Sequence, residues 1–155
     1  MASPRLKDFP YKGFYAYSLT LCCIERQPHF LKGEAVEKPR TYLSNLSQQF
    51  HFQLWAYCFM PDHLHLLVEG ENNKSDLQRF ISKFKQMSGF RFKKDYGCPL
   101  WQSSYFEHVL RREEDLLIQC RYILENPVRA KLVKEVGEYP YSGSMVFEDT
   151  REFFK

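Results

Sequence analysis

A β-hairpin predicted near the middle of the chain constrains the fold more than any other feature of the sequence. Residues 57–60 (YCFM) and 63–70 (HLHLLVEG) are rich in apolar and strand-forming residues, and only Pro61 and Asp62 separate them. So short a connection between two such runs is typical of a tight hairpin. The sequence therefore predicts antiparallel strands at residues 52–59 and 63–69.

The second of these strands carries two histidines at alternate positions. Because successive side chains point to opposite faces of a strand, His63 and His65 share one face with Leu67 and Glu69. The other face is entirely apolar and is expected to be core; it carries Leu64, Leu66 and Val68. Two neighbouring imidazoles are typical of a metal site or another polar site. The spacing alone leaves two interpretations open, a metal site and a purely structural pair.

The remaining segments predict the order β-α-β-β-α-β-α. The first is a strand at residues 14–24, which is followed by a helix at 35–50 whose start Pro39 is expected to delay. A second helix runs from an N-cap at Ser75 to about Lys94, and a strand lies within 101–110. A third helix begins at the acidic residues 113–115 and runs to Asn126, where Pro127 ends it. Two β-α-β halves joined by a hairpin predict an α+β, ferredoxin-like fold with a four-stranded antiparallel sheet. We expect one domain over residues 1–155, with residues 1–12 and 143–155 as loose tails.

The third predicted helix has an apolar arc and a polar side. At 100° per residue the apolar arc consists of Leu116, Leu117, Cys120, Ile123 and Leu124. Tyr122 lies nearly opposite this arc, and Asn126 follows one turn later on the same side. A hydroxyl one turn from an amide oxygen is the pattern expected of a nucleophile beside a metal ligand, with Glu125 as a rival oxygen donor. An ordinary surface tyrosine is the alternative interpretation.

Composition narrows the class of protein. Hydrophobic residues make up 44% of the chain, yet no apolar run is long enough to cross a membrane, and the N-terminus lacks the apolar stretch of a signal peptide. The five cysteines contain no C-x-x-C motif, so we expect reduced thiols in a cytoplasmic protein. A net charge of +3 permits a polyanionic partner without demanding one.

Candidate DNA-binding residues lie on the predicted second helix, opposite its apolar stripe. They are Arg79, Lys83, Phe90, Lys93 and Lys94, with Arg111, Arg112, Arg121 and Arg129 as secondary candidates further along the chain. Basic side chains contact phosphates, and aromatic rings stack on unpaired bases. A solvated helix face with no partner is the alternative.

Two motifs resemble those of a known family. Residues 59–68 (FMPDHLHLLV) resemble the HUH signature (His, hydrophobic, His) of the IS200-like single-tyrosine transposases. Residues 122–130 (YILENPVRA) resemble the second signature of the REP-associated tyrosine transposases, and residues 101–102 (WQ) and 139–142 (YPYS) are also similar. The resemblance covers about residues 10–142. It departs from the family pattern at Asp62, where Asn is common, and at Lys131, where Gly is common.

The resemblance implies an HUH endonuclease that cuts and rejoins single-stranded DNA next to a DNA hairpin. Carried over by position, Tyr122 would be the nucleophile that forms a covalent 5′-phosphotyrosine, and His63, His65 and Asn126 would bind Mg²⁺ or Mn²⁺. Members of the family act as dimers or as monomers, so a homodimer, and a Tyr122 that serves its own or a partner's site, both stay open. The alternatives are a catalytically inactive single-stranded nucleic-acid-binding domain of the same fold and a metal- or RNA-binding module.

Overall fold

The computed structural model describes residues 5, 6, 8–111 and 113–155. Its elements in chain order are β1 (Ala16–Cys22), α1 (Gly33–Gln49), β2 (Phe52–Met60), β3 (His63–Gly70), α2 (Leu77–Tyr96), β4 (Phe106–Leu110), α3 (Glu113–Leu124), α4 (Asn126–Arg129) and β5 (Ser142–Gly143). Short 3-10 helices lie at Ile24–Arg26 and Thr150–Phe154. The predicted β-α-β-β-α-β-α order is confirmed, and α4 and β5 are added after it.

The sheet is antiparallel, with strands in the order β4-β1-β3-β2-β5. The prediction of four strands is one short, because Ser142 and Gly143 add β5 at the edge beside β2. At the other end of the order, β4 is also an edge strand. The central strands β1 and β3 are therefore fixed on both sides by paired neighbours.

Both faces of the sheet are covered by helices. On one face α1 and α2 enclose the main core, which contains the apolar residues Leu64, Leu66 and Val68 of β3 as predicted. On the other face α3 packs against a second cluster that includes Leu67. The two histidines of β3 belong to this second face, so the predicted polar face is only partly open to solvent.

Three local predictions about helices are wrong. Helix α1 begins at Gly33, and Pro39 lies inside it with its ring buried, although a proline cannot donate the backbone hydrogen bond of that position. The N-cap of α2 is Asp76, which accepts a hydrogen bond from the Arg79 amide, whereas the buried Ser75 hydroxyl donates to the carbonyl of His51. Leu117 is 43% exposed, because the stripe that α3 buries is narrower than the predicted arc.

The third helix also ends differently from the prediction. α3 stops at Leu124, and after Glu125 the chain turns into α4, whose first turn contains Pro127. A proline is tolerated there because the amide it lacks would have no partner within the helix. Pro127 therefore starts a new helix instead of stopping the old one.

Each of the two segments expected to be loose has a residue that packs against the domain. Phe153 is buried against α3, where its carbonyl accepts a hydrogen bond from Arg121 Nε at 2.5 Å. Near the N-terminus Tyr11 is 2% exposed and joins the main core. All five cysteines are free thiols, as expected. Within the described residues, no helix has the length and apolarity needed to cross a bilayer.

Candidate functional site

The first half of the candidate site is the pair of histidines at the start of β3. Their ring centroids lie 4.6 Å apart, and the two Nε2 atoms approach to 3.0 Å. This approach follows from the alternation of a strand, which puts residues 63 and 65 on one face. Because β3 is paired on both sides, the backbone that carries the two rings is held firmly in place.

The outer nitrogen of each ring has a partner. Nδ1 of His63 lies 2.6 Å from Asp62 Oδ1, and Nδ1 of His65 shares a 3.1 Å hydrogen bond with Thr20 Oγ1. Asp62 also accepts a 2.8 Å hydrogen bond from Arg26 Nε. Partners of this kind fix the orientation of an imidazole and are typical of histidines that bind metal through the other nitrogen. Both Nε2 atoms therefore face a common point.

Burial keeps both rings in the neutral form at pH 7. It lowers the pKa of His63, an effect that the hydrogen bond to Asp62 partly opposes. Burial lowers the pKa of His65 to about 3; the charge of Arg129, and that of His63 in its protonated form, act in the same direction. For Asp62, the hydrogen bonds from His63 and Arg26 outweigh the effect of burial and hold its pKa below the usual range. Neutral imidazole is the form that binds a metal ion.

The second half of the candidate site lies at the end of α3. Tyr122 is 53% exposed, and the guanidinium of Arg129 lies 3.9 Å from the centre of its ring. Arg129 Nη2 also donates to the Tyr122 carbonyl at 2.5 Å, and its Nη1 lies 3.5 Å from Glu125 Oε2. Glu125, the rival oxygen donor, is thus paired with Arg129. Asn126 is half-buried at the start of α4.

The two halves lie on the same face of the sheet. α3 covers the histidine face, where Gln119 accepts a 3.4 Å hydrogen bond from Ser18 of β1. Burial lowers the pKa of His65 and raises that of Cys58 to about 12; the charge of Arg129 adds to the first effect and opposes the second. Among the hydrogen bonds and ion pairs of the described residues, none joins Tyr122 or Asn126 to either histidine.

The side chains of α2 that were predicted to bind DNA are exposed, and they lie on the opposite side of the sheet from the histidines. These residues are Arg79, Lys83, Phe90, Lys93 and Lys94. Arg111 is exposed just after β4 and borders a hollow with Leu110 and Phe14. Arg112 lies outside the described residues.

Three residues of the site carry roles that sequence reasoning missed. Thr20 and Arg26 hold His65 and Asp62, and Arg129 covers the Tyr122 ring. Thr20 could be found only from the strand register, in which it is paired directly with His65. Arg129 carried a signal in the sequence, because it lies within the second motif, seven residues after the tyrosine.

Two curated proteins are similar to this chain in sequence. A REP-associated tyrosine transposase of Escherichia coli is 32% identical over 95 residues, which cover 59% of this chain and 53% of that protein. A Haemophilus influenzae protein, whose name places it among the REP-associated tyrosine transposases, is 27% identical over 147 residues, covering 88% of this chain and 82% of that protein.

The solved structure of a REP-associated tyrosine transposase bound to a REP hairpin is similar in fold. It superposes with a TM-score of 0.74 at 22% identity, covering 90% of this chain and 82% of that one. The sequence model of the family described as "Transposase IS200 like" matches residues 14–126, well over half of the chain and including both halves of the site. The chain therefore belongs to the IS200-like transposase family.

Proposed function

We propose that this transposase cuts and rejoins single-stranded DNA beside a DNA hairpin, with Tyr122 as the nucleophile and a divalent metal ion bound by His63, His65 and Asn126. The observation that carries the proposal is the pair of neutral imidazoles, whose Nε2 atoms lie 3.0 Å apart. Each Nδ1 atom has a partner of its own, and the two Nε2 atoms, which are within hydrogen-bond distance of each other, lie close enough to bind one ion. The hairpin enters by analogy with the relative bound to a REP hairpin.

The residues present fit a divalent ion. Within the described part of the chain, no three His, Cys, Asp or Glu side chains are arranged to hold a metal, so an amide such as that of Asn126 would have to complete the set. Two imidazole nitrogens and an amide oxygen suit Mn²⁺ better than Mg²⁺, which prefers oxygen ligands, and both ions belong in the test. When bound, such an ion would polarise the scissile phosphate and offset the negative charge of the transition state.

The exposed Tyr122 hydroxyl would attack the phosphorus in line with the leaving 3′ oxygen. A bond forms between the tyrosine oxygen and phosphorus, the bond from phosphorus to the 3′ oxygen breaks, and the phenolic proton ends on the released 3′-hydroxyl. The covalent 5′-phosphotyrosine conserves the ester bond, so a 3′-hydroxyl of another strand can reverse the step without hydrolysis. Arg129 holds the tyrosine ring in position for this attack.

A covalent-adduct assay tests the proposal. A hairpin-bearing single-stranded oligonucleotide labelled at its 3′ end is incubated with the full chain and MnCl₂ or MgCl₂, and labelled protein is detected after denaturing electrophoresis. We expect a labelled band for the wild type and none for Tyr122→Phe, for His63→Ala or with EDTA. Tyr96→Phe, which changes another exposed tyrosine, is the matched control and should keep the band. If the wild type forms no adduct with either metal, the catalytically inactive binding domain is the better description.

A further inference from the structure

A groove of about 750 Å³ runs along the outer face of α2, on the side of the sheet opposite the histidines. Among the residues that the structure describes, four cationic side chains and no carboxylate border it; the cations are Arg5, Arg79, Lys83 and Lys85. Serine and glutamine side chains of α2 and the segment before β4 complete the lining. A lining of this kind, cationic and rich in hydrogen-bond donors, matches the side chains that contact DNA phosphates.

Two of the cations are held in fixed positions around one ring. The Arg5 guanidinium lies 4.5 Å from the centre of the Tyr105 ring and forms a 2.9 Å ion pair with Glu107. Lys85 Nζ lies 5.7 Å from the same ring and donates to the Gln102 carbonyl at 2.7 Å. Burial lowers the pKa of Lys85, and the nearby charge of Arg5 adds to this effect. An anion in the groove would relieve this crowding of like charges.

The groove divides the predicted basic stripe of α2 into two parts. Arg79 and Lys83 border the groove, whereas Phe90, Lys93 and Lys94 lie outside its lining. The two lysines occupy the last turn of α2, where positive charge stabilises a helix terminus without any partner. Arg79 and Lys83 are therefore the residues of this stripe that are placed to bind a ligand, whereas Lys93 and Lys94 can be explained by their effect on helix stability.

One end of the groove, at Ser103 and Tyr105, lies beside the start of β4, at the end of the sheet that carries the histidines; the other end, at Phe50 and Arg79, lies near the start of α2. Phe106, the first residue of β4, is paired with Thr20, and Thr20 is paired with His65. Two strand spacings, about 10 Å, therefore separate the start of β4 from His65. Because β4 is an edge strand, DNA in the groove can pass around that edge to the other face.

We propose that this groove binds the phosphate backbone of the paired stem of a DNA hairpin, while the adjoining unpaired strand reaches the face that carries Tyr122 and the histidines. The proposal rests on the proposed function. Proteins hold unpaired DNA by stacking bases on aromatic rings. In the groove the Tyr105 ring is occupied by two cations and Phe50 stacks on Phe80, so the lining favours backbone contacts over base stacking.

The test compares the DNA affinity of the wild type with that of the double variant Arg79→Gln/Lys83→Gln. Fluorescence anisotropy, with the full chain and no metal, measures the Kd for a hairpin-bearing oligonucleotide and for an unpaired oligonucleotide of the same length, from about 50 to 200 mM salt. We expect the double variant to bind the hairpin at least about 10-fold more weakly and to reduce the slope of log Kd against log salt by about two, one for each lost phosphate contact. Binding of the unpaired oligonucleotide should change much less.

Two further variants control for net charge. Lys134→Gln/Lys155→Gln removes the same charge away from the groove and should bind like the wild type. If this control or Lys93→Gln/Lys94→Gln loses as much affinity as the groove variant, binding follows net charge or the whole stripe, and the groove assignment is overturned. Equal weakening for hairpin and unpaired DNA would overturn the assignment to paired DNA. A wild type that binds as expected but forms no covalent adduct would refute the proposed catalysis and leave this inference standing.

Discussion

Replacing Asp62 by Asn should weaken metal binding more than it weakens the fold. The Asp62 carboxylate holds Nδ1 of His63 at 2.6 Å and accepts from Arg26 Nε at 2.8 Å. Its negative charge makes His63 a more basic ligand. An asparagine can keep one of these hydrogen bonds through its carbonyl oxygen, but it removes the charge.

The expected loss of metal affinity is larger than the expected loss of folding stability. Loss of a group that orients a metal-binding histidine typically lowers metal affinity 10-fold to 100-fold, or about 1.4–2.8 kcal/mol. For Asp62→Asn we expect a loss of metal affinity of about 10-fold, because the asparagine amide keeps part of the contact with His63. The partly exposed pair between Asp62 and Arg26 contributes only about 0.2–1 kcal/mol to stability. For 155 residues that corresponds to a fall in Tm of about 3 °C at most.

Mn²⁺ binding measured without DNA, from the EPR signal of the free ion, separates metal affinity from catalysis, and thermal unfolding reports stability. Asp95→Asn is the matched control, since Asp95 also pairs with two cations, Lys38 and Arg91, at a distant surface position. Metal affinity in Asp62→Asn equal to or above that of the wild type would refute the proposed role of the carboxylate. A similar loss in Asp95→Asn would show that the change reflects net charge alone.

Three further predictions concern stability. Because burial lowers the pKa of His65 to about 3, the unfolded chain binds more protons than the folded chain between that pH and about 6.5. In the absence of metal, the Tm of the wild type should therefore fall from pH 7 to pH 4, and the Tm of His65→Gln should fall less steeply. Equal slopes of Tm against pH for the two proteins would contradict this prediction. Lys131 has a φ of +61°, a left-handed backbone conformation that glycine adopts more easily than lysine. Lys131→Gly should therefore raise Tm by about 2–3 °C, whereas Lys134→Gly should not raise it. A lower Tm for Lys131→Gly would contradict this explanation. A Cβ at Gly70 would lie 1.8 Å from the Gly13 carbonyl oxygen, so Gly70→Ala should lower the free energy of unfolding, measured by chemical denaturation, by about 2–3 kcal/mol. An unchanged free energy of unfolding would show that the segment around Gly13 moves aside easily.

The parts of the fold that could be predicted from the sequence are those fixed by neighbouring residues. The alternation through residues 63–69 shows which side chains share a face, and the helical period separates Tyr122 from the buried side of α3. The errors arise where contacts distant in the sequence decide the outcome. Ser75 caps no helix because the carbonyl of His51, 24 residues earlier, takes its hydroxyl, and β5 exists because β2 has a free edge.

The residues of the candidate site fall into the same two groups, those that neighbouring residues predict and those that contacts distant in the sequence decide. The spacing of the two histidines is enough to bring them together, whereas Thr20, which orients His65, comes from β1, and Arg26, which holds Asp62, comes from the 3-10 helix that follows. Strand register places Thr20 beside His65, and no local pattern contains that register. The sequence therefore predicts the candidate ligands more readily than the residues that orient them.

The second motif is best understood as one structural unit built around Tyr122. The break after Leu124 starts a new helix, in which Arg129 is directed back toward the tyrosine. From there its guanidinium reaches the ring, the carbonyl of the same residue and the Glu125 carboxylate. A tyrosine on an uninterrupted surface helix could rotate freely, since half of its side chain is exposed. The cation over its ring restricts that rotation. Burial is the main cause of the low pKa of His65 and the Arg129 charge adds to it, so the same guanidinium that contacts the tyrosine also favours the neutral form of a candidate ligand.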